Sequence, residues 1–312
     1  MPKNEQLKST RDGFGDALFA LAKKDKNIVV VSADLAESTR VWKFAQKYPD
    51  RFIEVGVAEQ NMMGVAAGLA LAGKIPLATS FAVFSPGRNW DQLRVSVCYS
   101  KANVKIIGSH TGLGAGEDGA SHQALEDIAI TRCLPNLVVL VPADYIEAQK
   151  ALAVAIKHQG PVYLRLTRQN TPIFTSAKST FKIGQANILQ KGQDVTLIAC
   201  GALVYNALQV AKKLAAENIS VEVINCHTIK PLDKKTILAS VKKTKKVVTL
   251  EDHQIHGGLG SAVAELLAEN YPVPMKIMGV NDTFGESGTP EKLYKKYGLD
   301  QENIISTIKN IL

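Results

Sequence analysis

Phe52-Ile53-Glu54-Val55-Gly56-Val57-Ala58-Glu59-Gln60-Asn61-Met62-Met63 runs directly into Gly64-Val65-Ala66-Ala67-Gly68-Leu69-Ala70-Leu71. The first part is apolar and rich in β-branched residues, the mark of a strand. From Ala58 onward the residues are small and apolar almost throughout, and the spacing predicts a helix over 59–71. Such a helix packs closely inside a protein or an interface and carries the carboxylate of Glu59 in with it. Burial disfavours a charged carboxylate, so Glu59 needs a partner or a task. A plain helix-start carboxylate, favoured by the helix dipole, is the competing reading.

Working outward, the strand-then-helix unit recurs. Strands are expected over 28–32, 51–57, 77–81, 104–107, 137–141 and 162–166, and helices over 15–24, 59–71, 89–99 and 145–157. This alternation predicts an α/β fold with a parallel sheet covered on both faces. A polar interval over 169–193 follows. The alternation then restarts, with strands over 194–200, 220–225 and 246–250 and helices over 203–218, 234–243 and 259–270. We therefore expect two domains, 1–184 and a smaller α/β domain 185–312.

The 312 residues, 46% of them hydrophobic, suffice for two cores. No stretch is apolar for long enough to span a membrane, and the N-terminus has no apolar signal region. Cys98, Cys133, Cys200 and Cys226 are scattered without a Cys-x-x-Cys pair. That favours reduced thiols and a cytoplasmic setting over a disulfide frame or zinc site. The net charge of +8 gathers late, at Lys234, Lys235, Lys242, Lys243, Lys245 and Lys246. No aromatics interleave these lysines, so a solvated face is expected and no nucleic-acid partner.

Gly108-Ser109-His110-Thr111-Gly112-Leu113-Gly114-Ala115-Gly116-Glu117-Asp118-Gly119-Ala120-Ser121-His122-Gln123 places two His, two acids and five Gly after the expected strand 104–107. Glycines let backbone approach a ligand, and strand-end loops are where α/β proteins place function. The letters Gly114-x-Gly116-x-x-Gly119 fit a dinucleotide fingerprint, but Glu117 and Asp118 would repel a pyrophosphate. His253-x-x-His256, near Cys226 and His227, lacks the spacing of a metal tetrad. Gly257-Gly258-Leu259-Gly260-Ser261 opens a helix, where helix–sheet packing explains the glycines as well as anion binding does.

The Glu59 segment, the loop with Gly-Glu-Asp-Gly and Ser-His-Gln, and Phe284-Gly285-Glu286-Ser287-Gly288-Thr289-Pro290 occur in the order seen in transketolases. From about Ser9 to the end, the chain resembles the second half of a transketolase. The resemblance implies a thiamine diphosphate pyrimidine-binding domain followed by a transketolase C-terminal domain. It implies that Glu59 contacts N1′ of the cofactor's aminopyrimidine and that Phe81 and Phe84 line the pyrimidine pocket, with Phe84 stacked on the ring. Read as residues alone, the two Phe are strand-end core aromatics. Ser85-Pro86-Gly87-Arg88 stands where the family often carries a further Tyr or Phe. The resemblance further implies that Arg11, Ser38, His110 and Arg168 grip a substrate phosphate, as bidentate Arg donors with neutral donors can. Asp118 and His122 would contact the sugar hydroxyls and reacting carbons. Glu59, His122 and His110 are the expected catalytic residues.

The family's diphosphate and Mg²⁺ site, marked by Gly-Asp-Gly and a later Asn, is missing from this sequence. The expectation is a C-terminal subunit whose partner, an N-terminal transketolase subunit, carries that site, in an α2β2 heterotetramer of the pentose phosphate pathway. The Glu59 helix would lie at the central interface. Two other enzyme readings are the second half of a 1-deoxyxylulose-5-phosphate synthase and a 2-oxo-acid dehydrogenase subunit. A non-catalytic remnant that binds partners or sugar phosphates is the reading outside enzymology.

Overall fold

The computed structural model describes residues 6–312. In the first part of the chain, β2 (Ile28–Ser32), β3 (Phe52–Glu54), β4 (Ile75–Phe81), β5 (Lys105–Ser109), β6 (Val138–Leu140) and β7 (Val162–Arg165) pair in parallel, in the order β6-β7-β5-β4-β2-β3. A two-stranded ribbon, β1 (Leu7–Lys8) with β8 (Thr171–Pro172), lies outside this sheet. Every residue of β2 and β5 is buried, as continuous apolar runs in a doubly covered sheet require.

Side-chain alternation decides which helix meets which face. Val30, Leu77, Ile107 and Leu164 point to α1 (Thr10–Ala22) and α6 (Tyr145–Lys157). Their neighbours Val31, Ala78, Ile106 and Tyr163 point to the opposite layer, which contains α3 (Glu59–Leu71). Three shorter helices complete this part: α2 (Trp42–Lys47), α4 (Trp90–Gln92) and α5 (Asp127–Arg132). In α3, Met62, Met63, Ala66 and Ala67 are buried, whereas Gln60, Asn61, Gly64, Gly68 and Leu71 form an exposed stripe.

The second sheet runs β14 (Met275–Val280), β13 (Val247–Gln254), β10 (Val195–Ala199), β11 (Val221–Asn225), β9 (Asn187–Gln190). Only β9 is antiparallel to its neighbour. Helix α7 (Leu203–Ala215) packs with α10 (Pro290–Lys296) and α11 (Gln301–Ile311) in one core, while α9 (Leu259–Asn270) and α8 (Lys234–Thr244) join the core that also holds Met62 and Ile106. One strand crosses over: β12 (Thr228–Lys230) leaves this part of the chain and pairs antiparallel with β6 on the edge of the first sheet.

Several expected elements differ in extent. The strand expected over 51–57 is only β3, because Glu54 Oε1 accepts from the backbone N–H groups of Asp34 (2.8 Å) and Gly56 (2.9 Å) and turns the chain. Helix α1 starts at Thr10, not at residue 15, since Ser9 Oγ caps it by accepting from Asp12 N at 3.1 Å. The helix expected over 89–99 is α4 continued by a π-helical turn, Leu93–Tyr99. Among the described residues no helix is long and apolar enough to cross a membrane.

Candidate active site

The ends of β2, β4, β5 and β7 and the start of α1 meet at one edge of the first sheet. There they enclose a cavity of about 520 Å³ lined by Arg11, Glu37, Ser38, Arg40, Phe81, His110, Asp118, His122 and Arg168. Seven of the nine residues singled out in the sequence line it. These residues lie up to 157 positions apart, and parallel strand order alone brings their loops together.

Arg11 is the hinge of the group. Its Nη1 donates to Ser38 O at 3.0 Å and lies 3.2 Å from His110 Nε2. Nε2 accepts that bond, so the His110 proton sits on Nδ1, which faces Ser109 Oγ at 2.9 Å. His110 is 2% exposed and stacks on Phe81 with centroids 3.7 Å apart. Burial, and then the charges of Arg11, Arg168 and Arg40, pull its pKa down to about 3, so the ring is neutral at physiological pH. Arg168 Nη1 donates to Ala115 O (2.9 Å) and Asp118 Oδ1 (2.7 Å), fixing the acid beside the cavity. His122 stands edge-on to Phe84 (5.5 Å) and Phe81 (5.9 Å).

Glu59 and Phe84 lie outside the cavity lining but join its wall. Phe81 and Phe84 stack at 6.1 Å, and the Arg88 guanidinium lies 4.9 Å from the Phe84 centroid. Arg88 Nη1 donates to Glu59 Oε2 at 3.0 Å. Glu59 is 1% exposed and is the first residue of α3, so it is both buried and at a helix start. Asn89 Nδ2 donates to the Glu59 carbonyl at 3.1 Å and to Ser85 Oγ at 3.1 Å, pinning this turn.

The glycine-rich loop is held from the other half of the chain. Asp252, at the end of β13, accepts from Leu113 N (2.8 Å), Gly114 N (3.2 Å) and the Tyr294 hydroxyl (2.9 Å). At Gly112, with φ +66°, a Cβ would fall 2.2 Å from Asp252 Oδ2, so only glycine fits. Gln123 Nε2 donates to Gly116 O (3.1 Å) and Glu286 O (2.9 Å), which ties the loop to the Phe284–Pro290 segment. Arg165 Nε and the Tyr163 hydroxyl both donate to Asp127 Oδ2, at 2.8 and 2.7 Å, and Arg165 Nη2 donates to Asp252 O.

Sequence reasoning missed Glu37, Arg40, Arg88's bond to Glu59, and Asp252. Arg40 left one signal, the glycine at position 15 inside a helix. The weaker motifs have structural explanations. The N–H groups of Leu259 and Gly260 at the start of α9 donate to the buried Glu251 carboxylate, at 2.7 and 2.8 Å. The anion at that helix end is therefore the protein's own. His253 Nδ1 faces Gln254 O at 2.7 Å and its Nε2 accepts from Ala129 N at 3.3 Å.

A doubly covered parallel sheet with polar side chains converging at its strand ends defines an α/β enzyme-like class. Residues 6–173 match the family model for the transketolase pyrimidine-binding domain, and residues 184–304 that for the transketolase C-terminal domain. The chain belongs to the transketolase family. A Methanocaldococcus jannaschii protein with the provisional name transketolase C-terminal section is 47% identical, over 96% of this chain and 95% of its own. The 6-deoxy-6-sulfo-D-fructose transketolase subunit SqwH of Clostridium sp. (strain MSTE9) is 44% identical, over 95% and 92%. A solved structure described as a split gene transketolase, inactive beta4 tetramer, is 46% identical with a TM-score of 0.91, over 97% of this chain and 98% of that one. Within the family, then, the chain is similar along nearly its whole length to separately encoded subunits.

Proposed function

We propose that this chain is the C-terminal subunit of a thiamine diphosphate-dependent transketolase that moves a two-carbon ketol unit between sugar phosphates. The observation that carries the reading is the convergence of Arg11, Ser38, His110, Asp118, His122 and Arg168 on one cavity whose wall continues through Phe81 and Phe84 to Glu59. This arrangement supports reading these residues as one continuous catalytic and phosphate-binding surface.

The residues fit the cofactor's aminopyrimidine. A planar group bearing N–H donors already rests against Phe84 and bonds Glu59, namely the guanidinium of Arg88. A planar heterocycle with a protonated ring nitrogen has the same requirements. When bound, the cofactor supplies the nucleophilic carbon and the electron sink of ketol transfer. Glu59 would hold the proton at ring nitrogen N1′, and Phe84 would set the plane of the ring. Arg11 and Arg168 would orient the substrate phosphate, with Ser38 and His110 as neutral partners. His110, neutral, offers hydrogen bonds and not a proton equivalent. Asp118 would accept from a sugar hydroxyl, and His122 would move a proton near the reacting carbons. The relative named for 6-deoxy-6-sulfo-D-fructose extends the terminal anion to a sulfonate, which the same guanidiniums suit.

Mg²⁺ and the diphosphate would be held mainly by the N-terminal partner subunit. The exposed stripe of α3 supports an assembly face. Gly64 and Gly68 have open space over them, and Val57, Leu71 and Tyr99 are 69%, 72% and 83% exposed. An α2β2 heterotetramer would cover this face.

The test is ketol transfer from xylulose 5-phosphate to ribose 5-phosphate with thiamine diphosphate and Mg²⁺, first with this chain alone and then with the product of the neighbouring reading frame. Activity is expected only in the mixture, and Glu59→Ala in the mixture is expected to abolish it. A fully active Glu59→Ala complex would refute the assignment.

A further inference from the structure

We propose that Arg40 is a specificity-determining residue of this site, a third guanidinium that grips the terminal oxyanion of the substrate alongside Arg11 and Arg168. The inference rests on reading the cavity as a sugar-phosphate site.

Arg40 lies on a turn between β2 and α2, two residues past Ser38, and lines the cavity with the other two arginines. Three features of the fold set it there. Its Nε donates to Asp12 Oδ1 at 2.7 Å, and Nη1 donates to Glu37 O at 3.3 Å. Asp12 is itself fixed by Ser9, whose Oγ donates to Asp12 Oδ2 at 2.6 Å. The Arg40 backbone is left-handed, with φ 68°, a conformation unfavourable for a non-glycine residue. Finally, α1 carries Gly15 where a Cβ would sit 2.7 Å from the Arg40 Cβ, and a glycine inside a helix is less stable there than alanine. Two local penalties meet at one contact, and both serve to bring this side chain close to the start of α1. Strain of this kind collects where a side chain must be aimed.

The guanidinium has donors to spare. Five N–H groups are available, and the two bonds above use two of them. Among the described residues Nη2 makes no hydrogen bond. The side chain is 41% exposed and is among the residues lining the cavity, so it is not sealed in packing.

The charges around it favour a multiply charged ligand. Asp118 is paired with Arg168 and Asp12 with Arg40. Glu37 is the remaining acid on the lining, and it opposes anion binding. Among the described residues Arg11 has no carboxylate partner, and burial followed by the charge of Arg40 pulls its pKa down to about 10. The two guanidiniums therefore repel one another across the cavity. A tetrahedral oxyanion placed between them relieves that repulsion, and a dianion relieves it most. A neutral sugar gains nothing from the same arrangement. Arg40 thus separates phosphorylated ketoses from unphosphorylated ones, while the bond-making region at Asp118 and His122 stays the same.

The experiment is calorimetric titration of the full chain with xylulose 5-phosphate, xylulose and inorganic phosphate, comparing wild type with Arg40→Met, Arg40→Lys and Arg11→Met. Arg40→Met keeps the stem that packs on Gly15 and removes the charge. One partly exposed charge-assisted bond is worth about tenfold in affinity. Arg40→Met is expected to weaken xylulose 5-phosphate and inorganic phosphate by about that factor and to leave xylulose unchanged, with Arg40→Lys intermediate. In the assembled enzyme the same change should raise KM for the phosphorylated donor and leave kcat intact. If Arg11→Met weakens phosphate binding and Arg40→Met and Arg40→Lys do not, the role given to Arg40 is wrong. If neither Arg11→Met nor Arg40→Met alters phosphate binding, the reading of the cavity itself is wrong. Should Arg40→Met fail to fold, Arg40→Lys decides by the same comparison.

Discussion

Replacing Asp252 by Asn tests whether the second half of the chain holds the glycine-rich loop of the first in place. The carboxylate is 5% exposed and receives Leu113 N on one oxygen and Gly114 N with the Tyr294 hydroxyl on the other. An amide keeps one oxygen and presents N–H groups in place of the second. In either orientation one loop N–H loses its acceptor and faces another donor. Tyr294 is spared, because Gln169 Oε1 lies 3.0 Å away and can take its proton. An orphaned buried N–H costs about 1–3 kcal/mol, and the remaining bond loses its charge assistance. Against this, the mutant need not bury a charge, and burial already pushes the Asp252 pKa up. The balance is a loss of roughly 2.5 kcal/mol, which lowers Tm by about 4 °C in a chain of this size. The assay is thermal unfolding joined to amide hydrogen exchange, in which residues 111–119 should exchange faster than the rest of the first sheet. A Tm within about 1 °C of wild type, with unchanged exchange in the loop, would refute the anchoring argument.

Two further outcomes follow from the packing. Glu147 is 1% exposed, accepts from Ala143 N (2.8 Å) and Asn225 Nδ2 (2.7 Å), and has its pKa pushed up to about 7 by burial. Between about pH 4.5 and 7 the folded state holds a proton that the unfolded state has released, so stability falls as pH rises through this window, by up to about 3 kcal/mol. Urea unfolding at several pH values should show this slope in wild type and lose it in Glu147→Gln, and parallel slopes would contradict it. At Gly13 a Cβ would approach Tyr145 O to 2.3 Å, so Gly13→Ala should wedge α1 from α6 and destabilise by about 1–3 kcal/mol, despite alanine's better helix propensity. A Gly13→Ala protein with a raised urea midpoint would show that the two helices part without cost.

Local pattern carried the regular elements. Helices 59–71, 145–157 and 259–270 were legible to the residue, because small or amphipathic runs between strands admit one period. The short edge strands were not. Thr228–Lys230 has neither the length nor the alternation of a strand, and its partner β6 lies about 90 residues earlier in the chain. The site divides similarly. Arg11, Ser38, His110 and Arg168 are unremarkable one by one, and only motif order joined them before the fold did. Arg40 and Asp252 act through backbone geometry and contacts across the two halves, which no local spacing encodes.

The crossing of β12 onto β6 has a bearing on how the chain behaves when divided. Val138, Val139 and Leu140 form an apolar strand whose outer hydrogen-bonding edge is closed, among the described residues, by Thr228–Lys230. A fragment ending at residue 184 would present that edge unpaired, a template for adding strands from other molecules. The tie from the second half therefore protects the first from self-association, and the two are better regarded as one cooperative unit than as interchangeable modules.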